Sequence, residues 1–290
     1  MTSETASRGR LWAVLATRPR LRLSLTLLPP LAWLGLAYLG SMAVLLVSSV
    51  WSVDSFTGAV VHTTTFDNFH QVLTDPLFRT VTGRTVSVAL LVTVVDAALA
   101  IPLALFMAKM AGPRLQTLLV VAITTPLWAS YLVKAYAWRG LLAPDGPADW
   151  VTGGHSPGYG LAGTTITLAY LWFPYMVLPI YARFSKLPDS LLEASSDLGA
   201  PTFATLRRIA LPLVFPGIAA GSIFTFSLTL GDYIAVTIVG GKTQLLGNLI
   251  YGQLVTANNQ PLAAALAVIP IVAVLLYLFA LRRTGALEEI

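Results

Sequence analysis

The 290-residue chain contains no cysteine, and only 11% of its residues are charged. Without thiols it forms no disulfide and has no thiolate nucleophile or thiolate metal ligand. Soluble domains usually carry about 25% charged residues, so the low charge excludes a globule coated by polar side chains. Apolar residues are abundant instead: 56% of the chain is hydrophobic, and the mean hydropathy is +0.75.

Hydrophobic runs long enough to cross a bilayer fill most of the chain. A membrane core of roughly 30 Å requires about 20 apolar residues per helix. Six runs reach that length, at 25–49, 85–108, 115–138, 161–182, 211–239 and 262–281. They predict an all-α integral membrane protein with six transmembrane helices. The remainder is a basic segment at 1–24 before a membrane domain at 25–281, and a short tail at 282–290.

The basic residues are distributed unevenly over the predicted loops, and the formal net charge is +5. Three lie in one set of alternate loops, at Arg79, Arg139 and Lys242. Thirteen lie in the other set, at Arg8, Arg10, Arg18, Arg20, Arg22, Lys109, Arg114, Arg183, Lys186, Arg207, Arg208, Arg282 and Arg283. Because cytoplasmic loops carry the excess of Lys and Arg, we expect a multi-pass protein with both termini in the cytoplasm. This distribution accounts for the positive charge without a nucleic-acid partner.

The most specific pattern lies between the fourth and fifth runs. Three residues separate Glu193-Ala194-Ser195 from Gly199, and nine residues separate Gly199 from Ile209. After one further residue the pattern ends with Leu-Pro at 211–212. This spacing resembles the EAA loop of ABC-importer permeases, with serine replacing the second alanine. The resemblance implies an ATPase-coupling loop whose residues are Glu193, Ala194, Asp197, Gly199, Ala200, Ile209, Leu211 and Pro212. The alternative is an ordinary amphipathic inner loop.

Local signals predict structure within this loop. Pro188-Asp189 can cap a helix from about Ser190 to Leu198. Gly199 suits the left-handed turn that ends a helix. Pro201 is a good first helical position, so a second helix is expected from there to Ile209. A helix–glycine–helix unit of this kind can present one short helix to a groove of a partner.

Further segments resemble the third, fourth and fifth spans of spermidine/putrescine permeases, closest to the B-type subunit. They are Pro126–Trp138, Tyr170–Pro179, Pro216–Gly221, Leu230–Tyr233 and Val239–Gly241. Lys134 stands where that family usually has arginine. The resemblance implies a type I, MetI-like importer fold with a cytoplasmic coupling-helix loop, in a bacterial inner membrane. It implies half of a pathway for a polyamine or similar small cation.

The same resemblance implies the partners. They are a cytoplasmic ABC ATPase dimer that holds ATP and Mg, a second homologous permease subunit, an extracytoplasmic substrate-binding protein and the lipid bilayer. Permeases for iron, thiamine, sulfate or phosphonate remain alternatives. A secondary transporter is less favoured, because the sequence shows no inverted repeat or buried ion ligands.

Several side chains are candidates for the translocation pathway. Asp96 and Asp232 lie within apolar runs, where an ionisable group usually faces a bundle interior or a cavity. Asp232 is expected either to contact a cationic substrate or to pair with Lys134, and Asp96 to form a helix–helix hydrogen bond or line the pathway. Aromatic candidates form either an interfacial belt or a cation–π surface: Trp128, Tyr131, Tyr136, Trp138, Trp172, Tyr175 and Tyr233.

Catalytic and cofactor motifs are lacking. The histidines, His62, His70 and His155, lie on predicted outer loops without metal-ligand spacing. The segment 240–243 resembles the end of a phosphate-binding P-loop, but Val236 occupies the place of its first glycine. We therefore predict no catalytic residue, metal site or cofactor in this chain, and a permease subunit whose ATPase is another polypeptide.

Overall fold

The computed structural model describes residues 19–54 and 56–284, and these residues form helices joined by short loops and one hairpin. Most of the basic segment expected at 1–24 and most of the tail expected at 282–290 lie outside the described residues. The helices are α1 (Pro19–Trp33), α2 (Gly40–Ser48), α3 (Asp67–Thr74), α4 (Pro76–Leu105), α5 (Pro113–Trp128), α6 (Tyr131–Leu141), α7 (Pro147–Val151), α8 (Leu161–Lys186), α9 (Asp189–Asp197), α10 (Thr202–Thr205), α11 (Leu211–Gly231), α12 (Ile234–Val239), α13 (Leu246–Tyr251) and α14 (Gln260–Arg282). π-helical turns extend or join them at Leu34–Leu39, Phe106–Met110, Leu206–Ala210 and Gly252–Thr256.

Among the described residues, five helical segments are long and apolar enough to cross a membrane. They are Thr26–Ser48, Pro76–Met110, Leu161–Lys186, Thr202–Gly231 and Gln260–Arg282. A sixth crossing is present if α5 and α6 form one broken span, and these two helices meet at 100°. The prediction of six apolar segments is therefore confirmed, but the expectation of a continuous third helix over 115–138 is wrong.

The boundaries of two spans differ from the predicted ones. The second begins at Pro76 rather than residue 85, because the Asp75 carboxylate accepts a hydrogen bond from the Leu77 N–H at 2.8 Å and caps the helix. The fifth was expected to run to residue 239 but ends at Gly231, where Asp232 adopts an extended backbone. Hydrophobicity alone did not reveal either boundary.

Helices α4, α8 and α11 pack against one another and form the centre of the subunit. Small residues let α11 approach α8 closely, as expected for helices in a membrane. A Cβ added at Gly217 would lie 2.8 Å from the Pro179 carbonyl oxygen, and one at Gly221 would lie 2.8 Å from Met176 Sδ. The core on the inner side of this contact is apolar, and its buried residues are Ala100, Ala104, Met107, Met176, Val177, Ile180, Phe184, Leu187, Ala210 and Val214.

The first span makes few contacts with the rest of the chain. Only 6% of its most apolar stretch is buried, against 50% for Leu161–Lys186. Its helix continues through Pro29 and Pro30 and then widens into the π-helical turn, so the two prolines do not break it. Its apolar surface is therefore available to lipid or to another helix.

The hairpin and α3 form a small unit after the first span. Strand β1 (Ser52–Val53) pairs antiparallel with β2 (Val60–Val61). The Asn68 amide donates to the Ser49 and Trp51 carbonyl oxygens at 2.9 and 2.7 Å and ties α3 to the end of α2. The cap position of α3 is Phe66, and no side chain caps this helix.

Candidate functional site

The loop between the fourth and fifth spans forms a helical elbow. Helix α9 runs over Asp189–Asp197, within one residue of its predicted bounds. Gly199 has φ +75°, which confirms the predicted left-handed turn. Helix α10 follows from Thr202, with Pro201 at the cap position. The expectation that Asp189 caps α9 is wrong, because Pro188 holds the cap position and no side chain caps the helix.

A lysine from the end of the second span holds the start of α9. Lys109 Nζ lies 2.6 Å from Asp189 Oδ1 and 2.6 Å from the Leu187 carbonyl oxygen. The lysine side chain is 12% exposed, whereas that of the aspartate is 73% exposed. Water therefore screens the ion pair, and the bond to the carbonyl is the better protected of the two contacts.

A second polar contact holds the other end of α9. Ser195 Oγ lies 2.8 Å from Thr205 Oγ1, across the turn at Gly199. The serine is the residue that occupies the place of the second alanine in the EAA pattern, and it is buried. This chain therefore has a hydroxyl contact at a position where alanine could form none.

The second helix of the elbow continues into the fifth span. Its predicted end at Ile209 is wrong, because helix extends without a break over Thr202–Gly231. The π-helical turn Leu206–Ala210 lies immediately before Pro212, and the Leu211 N–H donates to the Leu206 carbonyl. The wider turn accommodates proline, whose ring would otherwise clash with the preceding turn of an α-helix.

The outward side of the elbow is accessible and mixed in character. Glu193, Ala194 and Asp197 are exposed, and the apolar side chains of Leu198 and Phe203 are 87% and 72% exposed. The leucines of this segment have different surroundings, since Leu192 packs on the core while Leu198 does not. The remaining residues of the EAA pattern lie behind this surface at intermediate or exposed positions: Ala200, Ile209, Leu211 and Pro212.

Two interrupted helices meet within the membrane domain. One break lies at Ala129–Ser130 between α5 and α6, and the other at Asp232–Tyr233 between α11 and α12. The Tyr131 hydroxyl donates to Asp232 Oδ2, and the Ala235 N–H donates to Asp232 Oδ1 at 2.9 Å. Asp232 therefore joins the two breaks and accepts a hydrogen bond from the first turn of the short helix after the fifth span.

The predicted pairing of Asp232 with Lys134 is wrong. Tyr131 is the first residue of α6 and reaches Asp232, whereas Lys134 lies one turn further along that helix. Lys134 forms no ion pair within the described part of the chain. The sequence placed both residues at similar depth but could not give the orientation of α6, which the 100° bend determines.

Aromatic rings surround the junction between the two breaks. Trp172 stacks on Tyr131 at 5.8 Å between ring centroids and contacts Tyr175 at 6.0 Å, and Tyr175 contacts Phe224 at 6.2 Å. Trp172 is 9% exposed, so its assignment to an interfacial belt is wrong. Tyr131 was among the predicted aromatic residues, so the missed member of the cluster is Phe224.

The other aromatic candidates lie outside this cluster. Tyr233 stacks on Tyr251 at 5.0 Å, and Trp138 packs on Tyr170 at 5.3 Å. Tyr136 is 59% exposed. The cluster therefore brings together Asp232, Tyr131, Trp172 and Tyr175 from the predicted set, and leaves the other aromatic candidates outside it.

Asp96, the other acid among the pathway candidates, is wholly buried. Neither of its carboxylate oxygens has a hydrogen-bond partner among the described residues, so the expected helix–helix hydrogen bond is wrong. It lies on α4, which packs against α8 and α11. The described residues contain no group of three side chains that could hold a metal ion.

A largely helical membrane subunit with an exposed elbow before its fifth span has the architecture of an ABC-importer permease, and the comparisons identify it as one. The chain belongs to the family of binding-protein-dependent transport system inner membrane components, whose model matches residues 100–284. It is therefore the permease component of an ABC importer and an integral membrane protein.

Curated relatives carry corresponding names. The chain is 40% identical over 290 residues to the inner membrane ABC transporter permease protein YdcU of Escherichia coli (strain K12), with 94% of this chain and 92% of that protein covered. It is 32% identical over 212 residues to the spermidine/putrescine transport system permease protein PotB of the same strain, with 70% and 76% covered.

Solved structures share the fold. A bacterial ABC transporter involved in the import of the acidic polysaccharide alginate contains a chain with a TM-score of 0.69 at 16% identity, covering 95% of this chain and 98% of that one. The methionine transporter MetNI, in an inward-facing conformation, gives 0.57 at 17% identity, with 73% and 98% covered. Likeness at this level of identity shows the fold alone.

Proposed function

We propose that this permease forms half of the translocation pathway for a small organic polycation of the spermidine/putrescine class. The observation that carries the proposal is the carboxylate of Asp232 within a cluster of aromatic rings. Relatives named as spermidine/putrescine permeases support it. Iron, thiamine, sulfate and phosphonate are the competing solutes, and the relative at 40% identity carries no solute in its name.

The chemistry of the cluster suits an ammonium group. An acid within a membrane span marks a functional site by default, and the faces of Tyr and Trp rings attract cations. Asp232 accepts hydrogen bonds from one side chain, the Tyr131 hydroxyl, and from backbone N–H groups at the start of α12. An incoming ammonium can therefore replace the Tyr131 hydroxyl at the carboxylate while the backbone of α12 still holds the acid.

The fifth span links this cluster to the inner elbow. Helix Thr202–Gly231 has 30 residues, so it is about 45 Å long. The elbow lies at its first end, and Asp232 follows its last residue. A displacement of the elbow therefore acts on the same helix that positions the carboxylate.

The proposed cycle uses the partners that the family implies. A substrate-binding protein delivers the solute to the outer loops, and a second homologous permease supplies the other half of the pathway. An ABC ATPase dimer, which holds ATP and Mg, docks on α9 from the cytoplasm, and a basic group of that partner contacts Glu193. Both termini of this chain then lie in the cytoplasm. Closure of the ATPase moves the elbow, and the fifth span changes the side to which the cluster opens.

Uptake by the complete importer tests the substrate. Cells that express it with its own ATPase, second permease and binding protein are supplied with labelled putrescine or spermidine, and with thiamine, sulfate or phosphonate as competitors. We expect polyamine uptake that Asp232→Asn lowers and Asp67→Asn, an exposed outer acid, leaves unchanged. Equal uptake by wild type and Asp232→Asn, or uptake of an anion instead, would reject the proposed substrate class.

A further inference from the structure

The elbow at Gly199 has little packing of its own. A Cβ added at this glycine would find no atom within 4 Å. The neighbouring apolar side chains, Leu198 and Phe203, are 87% and 72% exposed. Apolar contacts at the turn therefore do not set the angle between α9 and α10.

A buried hydroxyl contact crosses this turn. Ser195 is 5% exposed and is the buried residue of α9. Its Oγ lies 2.8 Å from Thr205 Oγ1, ten residues away in the sequence. The turn itself is closed by backbone hydrogen bonds, from Gly199 N to the Ser196 carbonyl at 2.8 Å and from Ala200 N to the Ser195 carbonyl at 3.1 Å. These backbone bonds end before α10, so the hydroxyl contact is what joins the two helices directly.

We propose that Ser195 and Thr205 are positioning residues that hold α9 at a fixed angle to the fifth span. Without their contact, rotation about the backbone of Gly199 would absorb the movement of a docked α9. With it, the elbow moves as one body and passes the displacement into helix Thr202–Gly231. This inference rests on the proposed docking of α9 to the ATPase.

The purified importer, with ATPase, second permease and binding protein in proteoliposomes, provides the test. The readout is solute transported per ATP hydrolysed, which a merely structural role would not change once assembly is equal. Ser195→Ala supplies the alanine of the EAA pattern, and Thr205→Val removes the hydroxyl while keeping the branched shape. Since one neutral hydrogen bond corresponds to about a two- to tenfold change in an equilibrium, we expect a fall of that size for each variant.

Matched variants separate this role from general damage. Thr205→Ser keeps a hydroxyl and should keep the wild-type ratio, and Ser196→Ala, at the exposed neighbouring serine, should do the same. The double variant Ser195→Ala/Thr205→Val should be no worse than either single variant, because one contact is lost in each case. Additive losses, or wild-type ratios for both single variants, would overturn the proposal.

The docking of α9 is tested independently by copurification of the ATPase with Glu193→Lys. Loss of the ATPase with this variant, together with a wild-type ratio for Thr205→Val, would leave the docking proposal standing and reject the positioning role. A bound and fully coupled ATPase with Glu193→Lys would instead reject the docking on which the positioning role rests.

Discussion

Substitution of Gly199 by alanine tests whether the elbow depends on backbone conformation. The residue has φ +75°, and an added Cβ would contact nothing within 4 Å. Steric clash inside the subunit is therefore excluded, and what remains is the cost of a left-handed conformation for an L-residue, about 1–2 kcal/mol. Because about 1.4 kcal/mol corresponds to a tenfold change in an equilibrium constant, we expect ATP-driven uptake to fall about 5- to 30-fold.

A series at this position separates conformation from size. Asparagine tolerates the left-handed region better than other non-glycine residues, so Gly199→Asn should recover much of the uptake that Gly199→Ala loses, although its side chain is larger. Gly199→Leu should abolish uptake while membrane insertion stays intact. The assay is labelled-solute uptake normalised to the amount of permease in the membrane and to copurified ATPase.

A second inner-side glycine provides the control. Gly112 has φ −65°, and an added Cβ there also meets nothing within 4 Å, so Gly112→Ala should retain full uptake. If alanine and asparagine at 199 were equally harmful, the reasoning from φ would fail, and contact of the side chain with the docked partner would explain the loss. Wild-type uptake by Gly199→Leu would remove the elbow from the mechanism.

Three further predictions concern packing and charge. Even an added Cβ at Gly221 would lie 2.8 Å from Met176 Sδ on α8. Gly221→Leu should therefore overpack this contact at a cost of about 1–3 kcal/mol and lower the melting temperature of the purified importer. Gly35→Ala, at a glycine with open space around it, should leave the melting temperature unchanged. Lys109→Gln removes the ammonium held at the Leu187 carbonyl and should reduce ATP-coupled uptake severalfold, with Lys186→Gln as the exposed control. Asp96→Asn should leave uptake unchanged in the same transport assay, and a large loss with intact assembly would place this buried acid in the pathway.

The elbow was predictable from sequence because its signals are local. Proline and glycine at the ends of α9 determine backbone conformation wherever they stand, and the positions of Gly199 and Pro201 gave the turn and the second helix within a few residues. The end of that helix was not predictable in the same way. A proline at 212 normally ends a helix, but here a π-helical turn precedes it and the chain continues into the fifth span.

The sequence did not reveal the two helix breaks within the membrane domain. Hydrophobicity measures how readily a segment enters lipid, and it does not show whether the helix is continuous. Residues 115–138 are mostly apolar and carry a single charged side chain, Lys134, and the bend at Ala129–Ser130 changes neither length nor polarity. The partner of Asp232 was missed for the same reason. Which residue of α6 meets this acid depends on the direction of the helix after the bend, and that is a property of tertiary packing.

The position of Asp232 explains why the fifth span ends where it does. A helix that continued to residue 239 would carry the carboxylate on a regular backbone, with the Ala235 N–H donating along the helix. Because the helix stops at Gly231, that N–H donates to Asp232 instead, and the acid accepts hydrogen bonds from both the first turn of α12 and Tyr131. The acid is thereby held by the third and fifth spans together. Tyr131→Phe should release Asp232 from the third span only. We therefore expect the affinity for polyamine to change while copurification of the ATPase stays at the wild-type level. A loss of assembly would show instead that the contact is needed for folding.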